Sequence, residues 1–298
     1  MVSCHGFPES WYSWRHQLQA LAEAGFRAVA PDMRGYGNTD RPADIDQYTL
    51  LHTTGDMVGL LDALGAQSAV IAGRDWGALV AWLAALLRPD RFRGVIALSV
   101  PYVPRGKVRP TTVMPQTADA VFYQLYFQTP GVAEAELERD VRQTIRRVLY
   151  GGSGDASRHL LGDPAWPASW CRGLVGCWRA GRTPSYFLLG SARAMSISTS
   201  DFTRTRFVGS LNWCRNIDRN WELPAPFAGP RATVSALYIA GDRDLVVSFP
   251  GMEQLISNLS TFVPELRGTI MLPECDHWTQ QERAQEVNAA MIQFLRGL

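Results

Sequence analysis

The stretch that most constrains this chain is VIAGRDWGALVAWLAALL, from Val70 to Leu87. A short apolar run ends in Gly73, and Arg74, Asp75 and Trp76 follow. Gly77 then opens a long apolar-periodic segment. Small residues two before and two after the apex predict a sharp strand-to-helix turn. Such an elbow needs a strand packed under a helix, and it normally presents a serine. Here the apex is an aspartate. An Asp after a strand also serves as a helix N-cap, so the surroundings must decide its role.

The rest of the chain supplies the layers. Trp14, Leu18 and Leu21 stand at helical spacing, with Gly25 placed as a cap. FRAVAPD reads as a buried strand ending in the turn-rich MRGYGNTDRP. Met57, Leu60, Leu61 and Leu64 repeat at i, i+3, i+4, i+7, and Gly65 closes that helix. SAVIAG and GVIALSVPY are further strands, and Leu79, Trp82, Leu83 and Leu86 mark the helix between them. This alternation predicts an α/β fold, a mainly parallel sheet with helices on both faces. After Tyr102 the pattern turns helical and amphipathic, and the strand rhythm returns with VSALYIAGDRD and GTIMLPECDHW. The expected organisation is a core over 1–102 and 223–298 with a helical lid inserted at 103–222. Pro164 to Ser200 contains no Asp or Glu and keeps no helical or strand period. It reads either as a surface loop of unusual composition or as a stretch altered by a local frame shift.

Composition narrows the function. The 298 residues carry 29 basic and 28 acidic side chains, a net charge of +1, which excludes a strongly basic nucleic-acid or membrane-surface binder. Apolar runs are interrupted before a membrane-spanning length, and no signal peptide is visible. Cys4, Cys171, Cys177, Cys214 and Cys275 form no close-pair motif, so free thiols in the cytoplasm are expected. No His/Cys/Asp cluster has ligand spacing, so no metal and no cofactor is expected.

Other motifs surround the elbow. CHGFPESWYSWRHQ holds a His-Gly-apolar-Pro turn of the kind that brings a backbone N–H to a nucleophile. AGDRDLV and PECDHW end the later strands, giving the chain order nucleophile, acid, histidine. HGFPESWYSWRHQ, DWGA, YQLYFQTPGVAEAELE, LNWCRNIDRNW and DHWTQ together resemble the epoxide hydrolases of the α/β-hydrolase superfamily over most of the chain. DWG alone is shared with haloalkane dehalogenases.

The resemblance implies a role for each matched residue. Asp75 would attack an epoxide carbon and form an ester, already ionised at neutral pH. His277 would activate water against that ester, and Asp244 would orient the imidazole. The backbone N–H groups of Phe7 and Trp76 would hold the oxyanion. Two lid tyrosines would protonate the opening ring. Tyr123 matches one, and Cys214 stands where the family has the other. A thiol is a weak, short donor, so ring opening is the step this change touches. The implied substrate is a small hydrophobic epoxide, with no nucleic-acid or membrane partner, and a homodimer is left open.

Competing assignments exist for several positions. Asp242 rivals Asp244, and Tyr126 rivals Tyr123. Asp276 reads as a turn residue and His5 as a shaper of the oxyanion turn. His16, His52 and His159 read as structural. Arg74 replaces the histidine common before the nucleophile. It would either lower the Asp75 pKa by its charge or point away to another carboxylate. Family members also carry further strands ahead of the His-Gly turn. The oxyanion turn is therefore expected near a frayed end, in a chain either truncated or starting upstream. Two other readings stay open: a haloalkane or haloacid dehalogenase using the same Asp, and a degenerate, non-catalytic relative that binds a small hydrophobic ligand.

Overall fold

A computed structural model describes residues 1–118, 121–155, 187–227, 229 and 231–298, with the side chains of 187–192 and 194 left aside. Five strands form one sheet: β1 (Val2–Cys4), β2 (Ala69–Arg74), β3 (Phe92–Leu98), β4 (Ser235–Gly241) and β5 (Leu266–Leu272). They lie side by side in chain order, and every pairing is parallel.

Parallel strands covered on both faces should be apolar throughout rather than alternating. All six residues of β2 are buried accordingly. Its side chains still divide by the period of two. Ile71 joins one hydrophobic cluster with Val95, Ala97 and Tyr238, while Val70 and Ala72 join another with Ile96, Leu98 and Ile239. Helices α1 (Arg15–Glu23), α2 (Leu50–Ala63) and α3 (Trp76–Leu87) follow the first two strands. Helix α3 lies on the first cluster through Ala78, Ala81 and Ala84, and Leu21 of α1 lies on the second. The strand at the sheet's end, β5, is half-covered and alternates along most of its length.

The expected strand FRAVAPD is shorter than the sequence suggests. Val29 makes a single parallel bridge to Val2, with Ser3 N–H donating to the Val29 carbonyl at 2.8 Å. None of Phe26 to Ala30 is fully buried, so this segment is a rim and not a core strand. Its position still matters. The chain leaves β1 toward Val29 on one side and returns through α2 to β2 on the other. That reversal opens a crevice at the carboxyl ends of β1 and β2, where ligands of open parallel sheets bind. The turn following β1 is not frayed. Val2, Ser3 and Cys4 are buried, and the strand is bonded on both sides.

Between β3 and β4 the described residues are mainly helical: α4 (Tyr123–Tyr126), α5 (Val132–Leu137), α6 (Val141–Gly151), α7 (Phe187–Thr205), α8 (Val208–Arg215) and α9 (Ile217–Glu222). The acid-free stretch lies outside the described residues up to 186. Its end is helical, which corrects the expectation of no period. The repeat of buried or partly buried Met195, Ser198, Phe202 and Thr205 straddles residue 200, so a window ending there cuts it in half. Helices α10 (Met252–Ser257), α11 (Thr279–Glu282) and α12 (Ala284–Arg296) complete the chain.

The elbow depends on close backbone approach. A Cβ on Gly77 would lie 2.1 Å from the Cys4 carbonyl oxygen, which neither strand nor helix can yield. Gly77→Ala is therefore expected to destabilise the protein by about 3 kcal/mol or more. A lowered urea midpoint at unchanged slope would check this.

Candidate active site

Asp75 caps α3 with φ 54° and ψ −123°, outside the ordinary region for a non-glycine residue. That conformation lifts its side chain from the strand-to-helix turn toward the His5–Phe7 loop. Phe7 N–H donates to Asp75 Oδ1 at 2.8 Å, and the Trp76 backbone N–H also bonds this carboxylate. Gly6 makes the approach possible, since a Cβ there would lie 2.3 Å from Oδ1.

His277, after β5, faces the other oxygen. Its Nε2 lies 3.5 Å from Asp75 Oδ2, and its Nδ1 lies 3.0 Å from Asp244 Oδ1. Both side chains are buried. Asp244 Oδ1 also accepts from Val246 N–H at 2.9 Å, which fixes the carboxylate at the end of β4. Asp244 rather than Asp242 therefore meets the imidazole. Burial alone would lower the His277 pKa, but Asp244 and then Asp75 outweigh it and raise it to about 9. Burial alone would raise the Asp75 pKa, yet the bond to His277 and the charge of Arg74 hold it below the usual range. Asp244 is held low in the same way, against its burial, by His277. The two carboxylates that flank the imidazole in the unreacted site thus favour its protonated form.

Ser99 was not singled out by the sequence. Its Oγ stands 3.0 Å from His277 Nδ1, beside the contact with Asp244. It directly follows β3 with φ 70°, a left-handed conformation in a residue that is neither Gly nor Asn. Placement just past a strand's carboxyl end, on the side of the crevice, is the only hint the sequence carries. Asp276, read as a turn residue, is buried, and its backbone N–H donates to Glu282 at 3.3 Å.

The lid positions separate cleanly. Tyr126 donates its O–H to Glu136 at 2.7 Å. Tyr123 lines a small cavity of roughly 70 Å³ with Asp75, His277 and Cys214. Its hydroxyl accepts from Gln124 at 3.1 Å, and burial, first, with the Asp75 charge pushes its pKa well up, so it stays a protonated donor. Cys214 is buried on α8, and burial likewise keeps its thiol protonated. Its backbone is anchored, since Gln128 donates to the Cys214 carbonyl at 2.9 Å. Next to it Arg215 forms a buried ion pair with Glu134 at 2.7 Å. The thiol is therefore held in the wall facing Asp75, at the position expected for a second phenol. A larger hollow of about 560 Å³ lies beyond Trp76, lined by Leu50, Trp82, Tyr102 and Trp221. Among the described residues its lining contains neither His277 nor Asp75 and has Trp76 in common with that of the small cavity.

Arg74 satisfies both expected alternatives at once. Its guanidinium lies 3.0 Å from Glu9 Oε2 and 4.0 Å from Asp75 Oδ1. Among the described residues no group of three or more His, Cys, Asp or Glu could hold a metal, and no helix is long and apolar enough to cross a membrane.

Comparisons with known proteins bear on the family and the fold. The family profile described as alpha/beta hydrolase fold matches residues 1–284. The chain is 42% identical to epoxide hydrolase A of Mycobacterium tuberculosis, over all of this chain and 90% of that protein. Among solved structures it resembles an epoxide hydrolase from an endophytic Streptomyces, with TM-score 0.91, 40% identity, and coverage of 99% of this chain and 88% of that one. Epoxide hydrolase A of Mycobacterium thermoresistibile gives TM-score 0.88 and 44% identity, covering 100% of this chain and 91% of that one.

Proposed function

We propose, for a chain that belongs to the α/β-hydrolase family and within it to the epoxide hydrolases, that Asp75 opens an epoxide by direct attack and carries the product as an ester until water releases a vicinal diol. The observation that carries this reading is the unequal treatment of the two Asp75 oxygens. Oδ1 accepts a backbone N–H, while Oδ2 faces His277, and Asp75 lines the small cavity with Tyr123.

In this reading Oδ2 forms a bond to an epoxide carbon as the carbon–oxygen bond of the ring breaks. Tyr123 O–H gives its proton to the departing oxygen, yielding a hydroxy ester. Asp75 is then neutral. One of the two carboxylates that kept His277 protonated has lost its charge, so the imidazole sheds its proton and the Tyr123 phenol is restored through solvent. Neutral His277 Nε2 then takes a proton from water as that water attacks Asp75 Cγ. The oxyanion forms on Oδ1, to which Phe7 N–H already donates, with the Trp76 N–H bonded to the same carboxylate. Collapse expels the diol, which takes the proton back from His277. No cofactor enters any step. Residues 103–222 act as the lid, supplying Tyr123 and Cys214. Buried free thiols at Cys4, Cys214 and Cys275 support a reducing, cytoplasmic setting.

The test is the purified chain on styrene oxide and on a haloalkane panel. Diol without halide supports the reading. Halide without diol points to the dehalogenase reading, and neither product, with ligand bound, to the non-catalytic one.

Cys214 sets a further expectation. If one phenol does the work of two, ring opening is slowed, and Cys214→Tyr should raise the rate of ester formation roughly 10-fold or more. The burst phase of a rapid-quench experiment reads that step. An unchanged burst in a folded variant would mean that another step limits opening.

A further inference from the structure

Arg74 is a buried cation beside the nucleophile to which the reaction above gives no role. Its side chain is 0% exposed. The guanidinium lies over the Trp278 ring at 4.1 Å, 3.0 Å from Glu9 and 4.0 Å from Asp75 Oδ1. Glu9 is itself fixed by Gln280 and by Gln281, the latter at 2.7 Å. Trp278 is fixed by an indole bond to the Leu149 carbonyl at 2.7 Å. The charge is therefore held by one ion pair and one ring contact, to side chains that are themselves hydrogen-bonded.

We propose that Arg74 is a positioning residue of the ester-hydrolysis step: a fixed cation that opposes a proton on His277 once Asp75 is esterified, and so keeps the imidazole a base. The proposal rests on the ester mechanism above. Before attack, the Asp75 carboxylate lies between two cations, with His277 at Oδ2 and Arg74 at Oδ1. Esterification removes that carboxylate and leaves the two cations facing across a neutral group. Arginine does not give up its proton in a protein, whereas an imidazolium does. The proton on His277 is therefore held less strongly than before attack, against the remaining pull of Asp244.

Asp244, 3.0 Å from His277, and Glu9, 3.0 Å from Arg74, act against Arg74 when ionised, so its expected effect is a displaced His277 midpoint and not outright loss of the proton. His5, Glu9, Tyr36, Asp75 and His277 lie within electrostatic reach of Arg74. Burial lowers the His5 pKa to about 4 and raises that of Tyr36 well up, so both stay neutral. Glu9 is the anchor of Arg74, with its pKa raised chiefly by burial. On the His277 side, Asp244 remains charged throughout. Asp276 has its pKa raised to about 8, chiefly by burial, so it opposes Arg74 only above that pH. A histidine in place of Arg74, buried like His5, would be neutral and would no longer oppose the His277 proton.

The experiment compares wild type, Arg74→Lys and Arg74→His in single turnovers with styrene oxide from pH 5 to 8, following ester decay by intact-protein mass. The lysine variant keeps the charge and should share the wild-type midpoint. The histidine variant should titrate about one pH unit higher, so that its ester decays roughly 10-fold slower below both midpoints. Coincident midpoints for wild type and Arg74→His would overturn the proposal. So would a lysine midpoint displaced as far as the histidine one, because the lost guanidinium shape, not charge, would then be responsible. If Arg74→His does not fold, the lysine midpoint decides alone, coincidence supporting and displacement overturning. Absence of any ester, in wild type and in His277→Gln alike, would remove the mechanism itself. An ester with unmoved profiles would remove only the role of Arg74.

Discussion

Asp75→Ala should lose diol formation by a factor of at least about 10⁴, with no ester detectable at any time. The size follows from what the side chain supplies. It is the group expected to form a bond to substrate, and among the described residues no second carboxylate lines the cavity, since Asp244 is turned to His277. Water could replace it only without the ionised oxygen and without the placement that the elbow provides. The substitution also leaves Phe7 N–H without its acceptor, a penalty on the order of 1–3 kcal/mol. Asp75→Asn keeps the shape and an acceptor, so loss of turnover in a variant that melts near wild type separates chemistry from folding. Diol formed at the wild-type rate by either variant would end the mechanism.

His277→Gln should behave differently. The attack step does not use the imidazole as a base, whereas release of the diol does. The variant should gain the mass of one epoxide and turn over roughly 10²–10⁴-fold slower. Peptide mapping should place the added mass on the segment holding Asp75. Glutamine can still bond Asp244 and Ser99, which preserves the local packing better than alanine would. A variant that is inactive and never gains mass would show that His277 acts before the ester, and the order of steps would have to change.

The elbow was legible because its signal is local. Small residues at fixed offsets from Asp75, an apolar strand before it and an apolar-periodic helix after it are all contained in eighteen residues. The order Asp75, Asp244, His277 was legible because each stands just past a strand. What escaped depends on residues far apart in the chain. Ser99 meets His277 only because β3 ends near the loop after β5, 178 positions later. Glu9 pairs with Arg74 across the β1–β2 crevice, so the sequence left open which carboxylate would receive the guanidinium. The FRAVAPD segment is apolar enough for a core strand, but β1 offers it only a short partner before Pro31 and the turn beyond. The helix ending at Thr205 was hidden by where the unusual composition was taken to stop.

Trp76 contributes to chemistry and to containment through different atoms. Its backbone N–H bonds the Asp75 carboxylate, whereas the residue also belongs to the lining of both the small cavity and the larger hollow. The backbone donor is present in almost any residue at that position, so the side chain can change while the carboxylate keeps its support. A smaller side chain there would alter the lining of both spaces at once. At this single residue, the range of molecules admitted can drift independently of the reaction performed on them.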